Sequence, residues 1–311
     1  MVRPKKQARI YKWGKSVTVC VTALAAYAED QKQSAIVCIA DKMVSYGETI
    51  TGENDASKII DLNPSGMLCM VSGTEDGLWR FVASLLATED FGKKAKDIAA
   101  ECERQYRTCL DELILAKFLS PRQLTRDEYM RGISGPKINA YMQSVADEVT
   151  AYNISCDVLV CGYEDNGTPI ILVVSHPGVA VNMARTGYHA IGCGWEHAVG
   201  SLVWQDHKRK HSLPNVMYDV FDAKISAEIG PYVGYECDMA VITFLNGKVE
   251  RHRVPKGIIK LLDALWGDHN RTPFEKIEKD ELFPPRNWRK KLKDYAESIL
   301  PGSSAEPDER K

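Results

Sequence analysis

The stretch from Ser16 to Gly73 constrains the fold more than any other part of this chain. Ser16-Val-Thr-Val-Cys-Val21 alternates small hydroxyl or thiol side chains with valine, so a strand there places Ser16, Thr18 and Cys20 on one face. A second expected strand, Ala35 to Ala40, is apolar throughout and ends in Asp41-Lys42. A carboxylate and an ammonium at the mouth of a buried strand are costly unless paired or used. Lys58 then opens Ile59-Ile-Asp-Leu62, and the apolar run Met67 to Val71 leads to Ser72-Gly73, where a strand stops and a helix starts. That helix, expected from Glu75 to Thr88, carries Leu78, Phe81, Val82, Leu85 and Leu86 on one stripe. Glu75 and Asp76 fall in its first turn, where the helix dipole favours acids, and Thr74 is the expected N-cap.

Further segments follow in order: Cys156 to Tyr163 as a strand, Gly187 to Gly194 as a strand and turn, a helix from about Trp195, and Cys237 to Ile242 as a closing strand. Together these motifs resemble the proteasome-type N-terminal-nucleophile hydrolases, the family of proteasome β and α subunits and their bacterial relatives. The family's Thr-Thr-Thr-Val-Gly-like first strand reads here as Ser16-Val17-Thr18-Val19-Cys20, and its Ala-Asp-Arg strand end as Ala40-Asp41-Lys42. Its Lys-Ile strand reads as Lys58-Ile59, and its Ala-Gly-x-x-Gly-Asp turn as Ser72-Gly73-Thr74-Glu75-Asp76. The resemblance runs from Ser16 to Val254. It implies an α+β chain folded as a four-layer αββα sandwich with two packed antiparallel sheets. On that frame, residues 1–15 are an N-terminal extension or propeptide, and 16–268 form the domain, with a helical insertion at about 91–135. Residues 269–311 form a C-terminal extension with a basic helix and a disordered tail.

In this class the nucleophile is the first side chain of the mature chain, and its freed α-amine is the base. The resemblance therefore places Ser16 at the nucleophile, after cleavage of the Lys15–Ser16 bond. Asp41 and Lys58 form the charged pair that polarises it, the Gly73 backbone N–H serves the oxyanion, and the Thr18 hydroxyl lines the substrate cleft. The implied substrate is a peptide or unfolded protein, and the implied assembly a homo-oligomeric ring or a set of related subunits. Five positions depart from the family pattern: Lys15 where self-maturing members have Gly, Trp195 at a helix-start hydroxyl, Gly230 and Val233 where Asp and Ser buttress the amine, and Ser16 where Thr is usual. The alternative is thus a catalytically inactive structural subunit acting through assembly. A third reading is a small-molecule amidase on the same fold.

Composition narrows the classes. A net charge of −2 gives no global attraction to nucleic acid or to an anionic membrane, and no segment is long and apolar enough to span a bilayer. The nine cysteines contain no C-x-x-C pair, so buried thiols, a reducing, cytoplasmic setting and the absence of a metal or cofactor are expected. His207 and His211, beside Lys208-Arg209-Lys210, read as dipole-stabilising residues at a helix end. His176-Pro177-Gly178 reads as a turn, Cys193 as a small residue or a reactive thiol at a helix start, and the basic run Arg286 to Lys293 as part of a solvated amphipathic helix.

Overall fold

A computed structural model describes residues 18–26, 34–46, 50–53, 57–62, 66–73, 75–92, 94–135, 138–230, 233–269 and 288–300. Lys15, Ser16, Thr74 and the tail 301–311, each the subject of an expectation above, lie outside them.

Two antiparallel five-stranded sheets form the centre. The first has the order β10-β1-β2-β11-β12, from strands β1 (Val19–Ala26), β2 (Ser34–Asp41), β10 (Tyr188–Gly192), β11 (Cys237–Leu245) and β12 (Lys248–Arg253). The second runs in sequence order through β5 (Ile59–Leu62), β6 (Met67–Gly73), β7 (Cys156–Tyr163), β8 (Pro169–Ser175) and β9 (Val179–Asn182). A small ribbon of β3 (Met43–Tyr46) and β4 (Ile50–Glu53) extends from the end of β2.

β2 shows why its sequence lacks alternation. Ile36, Cys38 and Ala40 meet the second sheet, whereas Ala35, Val37 and Ile39 meet helices, so both faces are dry. β1 behaves alike, with Cys20 and Leu24 between the sheets and Val19, Val21, Ala23 and Ala25 beneath helices. β1 begins at Val19, so the ladder starts later than the alternation from Ser16 predicts. Across the sheets, Tyr163 on β7 shares its hydroxyl proton between the carbonyls of Ser34 (2.6 Å) and Ile242 (3.1 Å). Tyr163→Phe is expected to cost about 1–2 kcal/mol in chemical denaturation, because it strips carbonyl partners at a buried junction.

Helices cover both outer faces. α1 (Glu75–Leu86) and α2 (Ala95–Ile114) lie on the second sheet. Ile98, Cys102, Tyr106, Cys109 and Leu113, spaced four, four, three and four apart, form the buried stripe of α2. The first half of the segment expected as an insertion therefore contributes a core helix. Its remainder builds a satellite core: Leu119 ends a π-helical turn (Leu115–Leu119) and packs with Tyr129 of α3 (Arg126–Ile133) and with Met142 and Val145 of α4 (Ala140–Ala151). Thr125 and Glu128 form a reciprocal capping box at the start of α3.

On the first sheet lie α5 (Trp195–Trp204), α6 (Leu213–Ala227), α7 (Lys256–His269) and α8 (Trp288–Ser298). α6 is buried along nearly its whole length, held between β1 and β2 on one side and the other helices of this layer on the other. The expected basic helix is α8; its Leu292 and Ala296, followed by Ile299, face the core, so its charges occupy only the outer side. Among the described residues no helix is long and apolar enough to cross a membrane. All nine cysteines are free thiols.

Candidate functional site

At the start of β1 the chain brings a hydroxyl, an ammonium and a carboxylate into contact. The Lys58 ammonium donates to Thr18 Oγ1 and, at 2.9 Å, to Asp41 Oδ1. Lys58 immediately precedes β5 and Asp41 ends β2, so the pair links the two sheets across their common mouth. Asp41 is wholly buried. Its Oδ1 also accepts the Val19 N–H at 3.0 Å, while Oδ2 accepts the N–H groups of Gly234 (2.9 Å) and Met43 (3.3 Å). A carboxylate stripped of water is thus given a cation and three backbone donors, which is what a buried charge requires.

The neighbouring residue Lys42 points elsewhere and pairs with Asp238 at 3.3 Å. Strand alternation separates the two charges that are adjacent in sequence, sending Asp41 inward and Lys42 to the other side.

β10 closes the site. Gly192 (φ 94°) lies so near β1 that a Cβ there would stand 2.2 Å from the Thr18 carbonyl oxygen and 2.9 Å from Ser72 Oγ. Ser72 and Gly73 end β6, paired with Asp157 and Cys156 of β7. The Cys193 thiol donates to the Thr18 carbonyl at 3.5 Å. Burial pushes both Cys193 and Cys20 up, so these thiols stay protonated packing groups and not nucleophiles.

The sequence-predicted residues therefore distribute as follows. Thr18, Asp41 and Lys58 meet directly, and Gly73 follows Ser72 on the strand end beside Gly192. Ser16 lies outside the described residues; among those described, the Thr18 hydroxyl, expected from the motifs to line the cleft, is in contact with Lys58. The alternation that puts Ser16 and Thr18 on one face does not choose between them; among the described residues, the register that brings Val19 to Asp41 places Thr18 beside Lys58. The backbone donors of Val19, Met43 and Gly234 left no mark in the sequence, because any residue can supply them. Gly230 donates its N–H to Ala227, Val233 is buried against Gly194, and the half-exposed Trp195 ring stacks on His189.

No family model matches the sequence, and no curated protein matches it. Solved structures share its architecture at low identity. Anbu (ancestral beta-subunit) from Yersinia bercovieri is 12% identical with a TM-score of 0.54, over 86% of this chain and 99% of that one. A structure described as the helical assembly of the Anbu complex from Pseudomonas aeruginosa gives a TM-score of 0.55 at the same identity and coverage. The membership of the proteasome-type family implied by the motifs is corrected by this result: short collinear motifs can follow from a shared fold, and no match at the level of sequence supports membership. What is shared is the fold.

Proposed function

We propose that this chain is an amide hydrolase whose nucleophile is Thr18 Oγ1, acting on peptide bonds once the chain is cut between Val17 and Thr18. The observation that carries the reading is the contact of the Lys58 ammonium with both Thr18 Oγ1 and the buried Asp41. An ammonium donating to a hydroxyl oxygen eases loss of the hydroxyl proton, and Asp41, bonded to the same ammonium, holds it in place.

Cutting before Thr18 frees an α-amine, a group whose ordinary pKa lies near neutrality. In the proposed cycle this amine takes the Oγ1 proton as the oxygen bonds to the substrate carbonyl carbon. The carbonyl oxygen becomes an oxyanion, for which the Gly73 N–H is the candidate donor. The amine then returns the proton to the leaving nitrogen, the C–N bond breaks, and an ester on Thr18 remains. Water, deprotonated by the same amine, attacks the ester; the acid product leaves and the hydroxyl is restored. Self-association is proposed as well, since a structure of like fold is described as a helical assembly.

A second reading, an inactive structural protein, has its own support. Gly230 and Val233 offer no carboxylate or hydroxyl to hold an amine, and Val17 before the cut is β-branched and stiff.

The intact mass of the protein from its own host separates these readings. A chain beginning at Thr18 is expected, with Thr18→Ala keeping all residues and its peptide hydrolysis falling to background. A chain beginning at Ser16 would restore Ser16 as nucleophile and remove Thr18. A full-length, inactive wild type would establish the structural reading.

A further inference from the structure

We propose that His207, His211 and Asp219 form a binding site for a first-row divalent cation of the zinc type, independent of the site at Thr18. The three residues come from the α5–α6 connection and from α6 itself. They sit beside the far end of β1, where the Ala26 N–H donates to the His211 carbonyl. At the usual rise per strand residue that is about 25 Å from Thr18.

The positions are built by the backbone. α5 ends with Asp206 in the left-handed region (φ 51°), and the His207 N–H reaches back to the Leu202 carbonyl at 3.0 Å, turning the His207 ring inward. A second turn, from the His211 N–H to the Lys208 carbonyl (2.9 Å), brings the next imidazole alongside, the ring centroids 5.6 Å apart and nearly perpendicular. Both rings present Nδ1 to one oxygen, Asp219 Oδ2, at 3.2 and 3.5 Å. The His207 side chain is fully buried, and among the described residues its Nε2 has no hydrogen-bond partner and its polar contact is at Nδ1.

Those distances fit a shared ion. Hydrogen bonds from imidazolium to carboxylate contract to about 2.7–2.9 Å, and these are longer. Two ligand atoms each about 2.1 Å from a tetrahedral zinc stand about 3.4 Å apart, between the two observed values. All three donor atoms lie within 4.8 Å of one another. Two imidazoles and a carboxylate are the ligand types such ions take, leaving a fourth position for water. Charge points the same way. Asp219 is followed one helical turn later by Asp222, also buried, which is held by the neutral groups Ser201, Gln205 and Trp266. A dication would offset the two buried carboxylates. The His211 side chain, 10% exposed, is the ligand nearest solvent.

Lysines at 208 and 210 and the missing short-spaced partner hid this group in the sequence: the third ligand lies eight residues past His211, on a helix. The dipole-stabilising role expected for His207 is corrected by its burial against Asp219.

The test is titration of chelator-stripped, full-length protein with ZnCl2 by calorimetry, with CoCl2 as the spectroscopic probe. One equivalent of zinc, a rise in Tm on binding, and four-coordinate cobalt bands without thiolate charge transfer are expected. Asp219→Asn and His211→Ala should abolish the equivalent, and His252→Ala, on the far strand β12, should retain it. His211→Ala serves should Asp219→Asn fail to fold. Absence of binding in the wild type, a thiolate signature, or undiminished binding by His211→Ala would each overturn the proposal.

Discussion

Asp41→Ala is expected to lower stability by about 3–5 kcal/mol, a fall of roughly 10 °C in Tm for a domain of this size. The change removes a carboxylate that holds one ammonium and three backbone N–H groups with no access to water. Lys58, its side chain only 12% exposed, would be left beside Thr18 without its counter-ion. Asp41→Asn should be nearly as costly, since an amide presents a donor to groups that are all donors. The double variant Asp41→Ala, Lys58→Met should recover part of the loss, because it removes the uncompensated charge as well. Thermal unfolding of wild type, Asp41→Ala, Lys58→Met and the double variant measures the coupling. If Asp41→Ala unfolds within about 1 kcal/mol of wild type, the buried network is not a determinant of the fold.

Gly192→Ala is expected to cost about 2–5 kcal/mol and to abolish any activity that depends on Thr18. Backbone strain accounts for about 1–2 kcal/mol, since φ is 94° and an L side chain is disfavoured there. The rest comes from contact: the new methyl would stand 2.2 Å from the Thr18 carbonyl oxygen and 2.8 Å from its carbonyl carbon, far inside van der Waals range. Neither is a flexible side chain, so β10 must move away from β1 or Thr18 must turn from Lys58. Crystallography of the variant, or its Tm together with N-terminal mass, reads out which. A variant with wild-type Tm and unaltered Thr18–Lys58 contact would show that the strands can separate freely.

The segment from Gly187 to Gly194, β11 and the Asp41 strand end were legible because each depends on local pattern: an apolar run, a charge at its end, a glycine where strands meet. The core role of α2 was less so. Its charged residues dominate its composition, and only the stripe through Ile98, Cys102, Tyr106, Cys109 and Leu113 marks the face that meets the second sheet. α8 misled in the same way, its basic face hiding Leu292 and Ala296.

By itself the sequence marked strands and helices, because burial on both faces requires apolar runs such as β2 and amphipathic helices need a stripe, whereas the two-sheet class was only what the resemblance implied. It also marked Asp41 and Lys42 as charges too expensive to leave at a buried strand end without a partner, but the pairing of Asp41 with Lys58 came only from the resemblance, and Lys42 pairs with Asp238 instead. Only the tertiary structure showed that Thr18 meets the Asp41–Lys58 pair: the pairing register brings Val19 to Asp41 and so Thr18 to Lys58. The same holds for His207, His211 and Asp219, which converge because a left-handed turn at Asp206 aims one ring at a helix that follows. Register and turn direction arise from contacts between distant segments, and no local pattern encodes them.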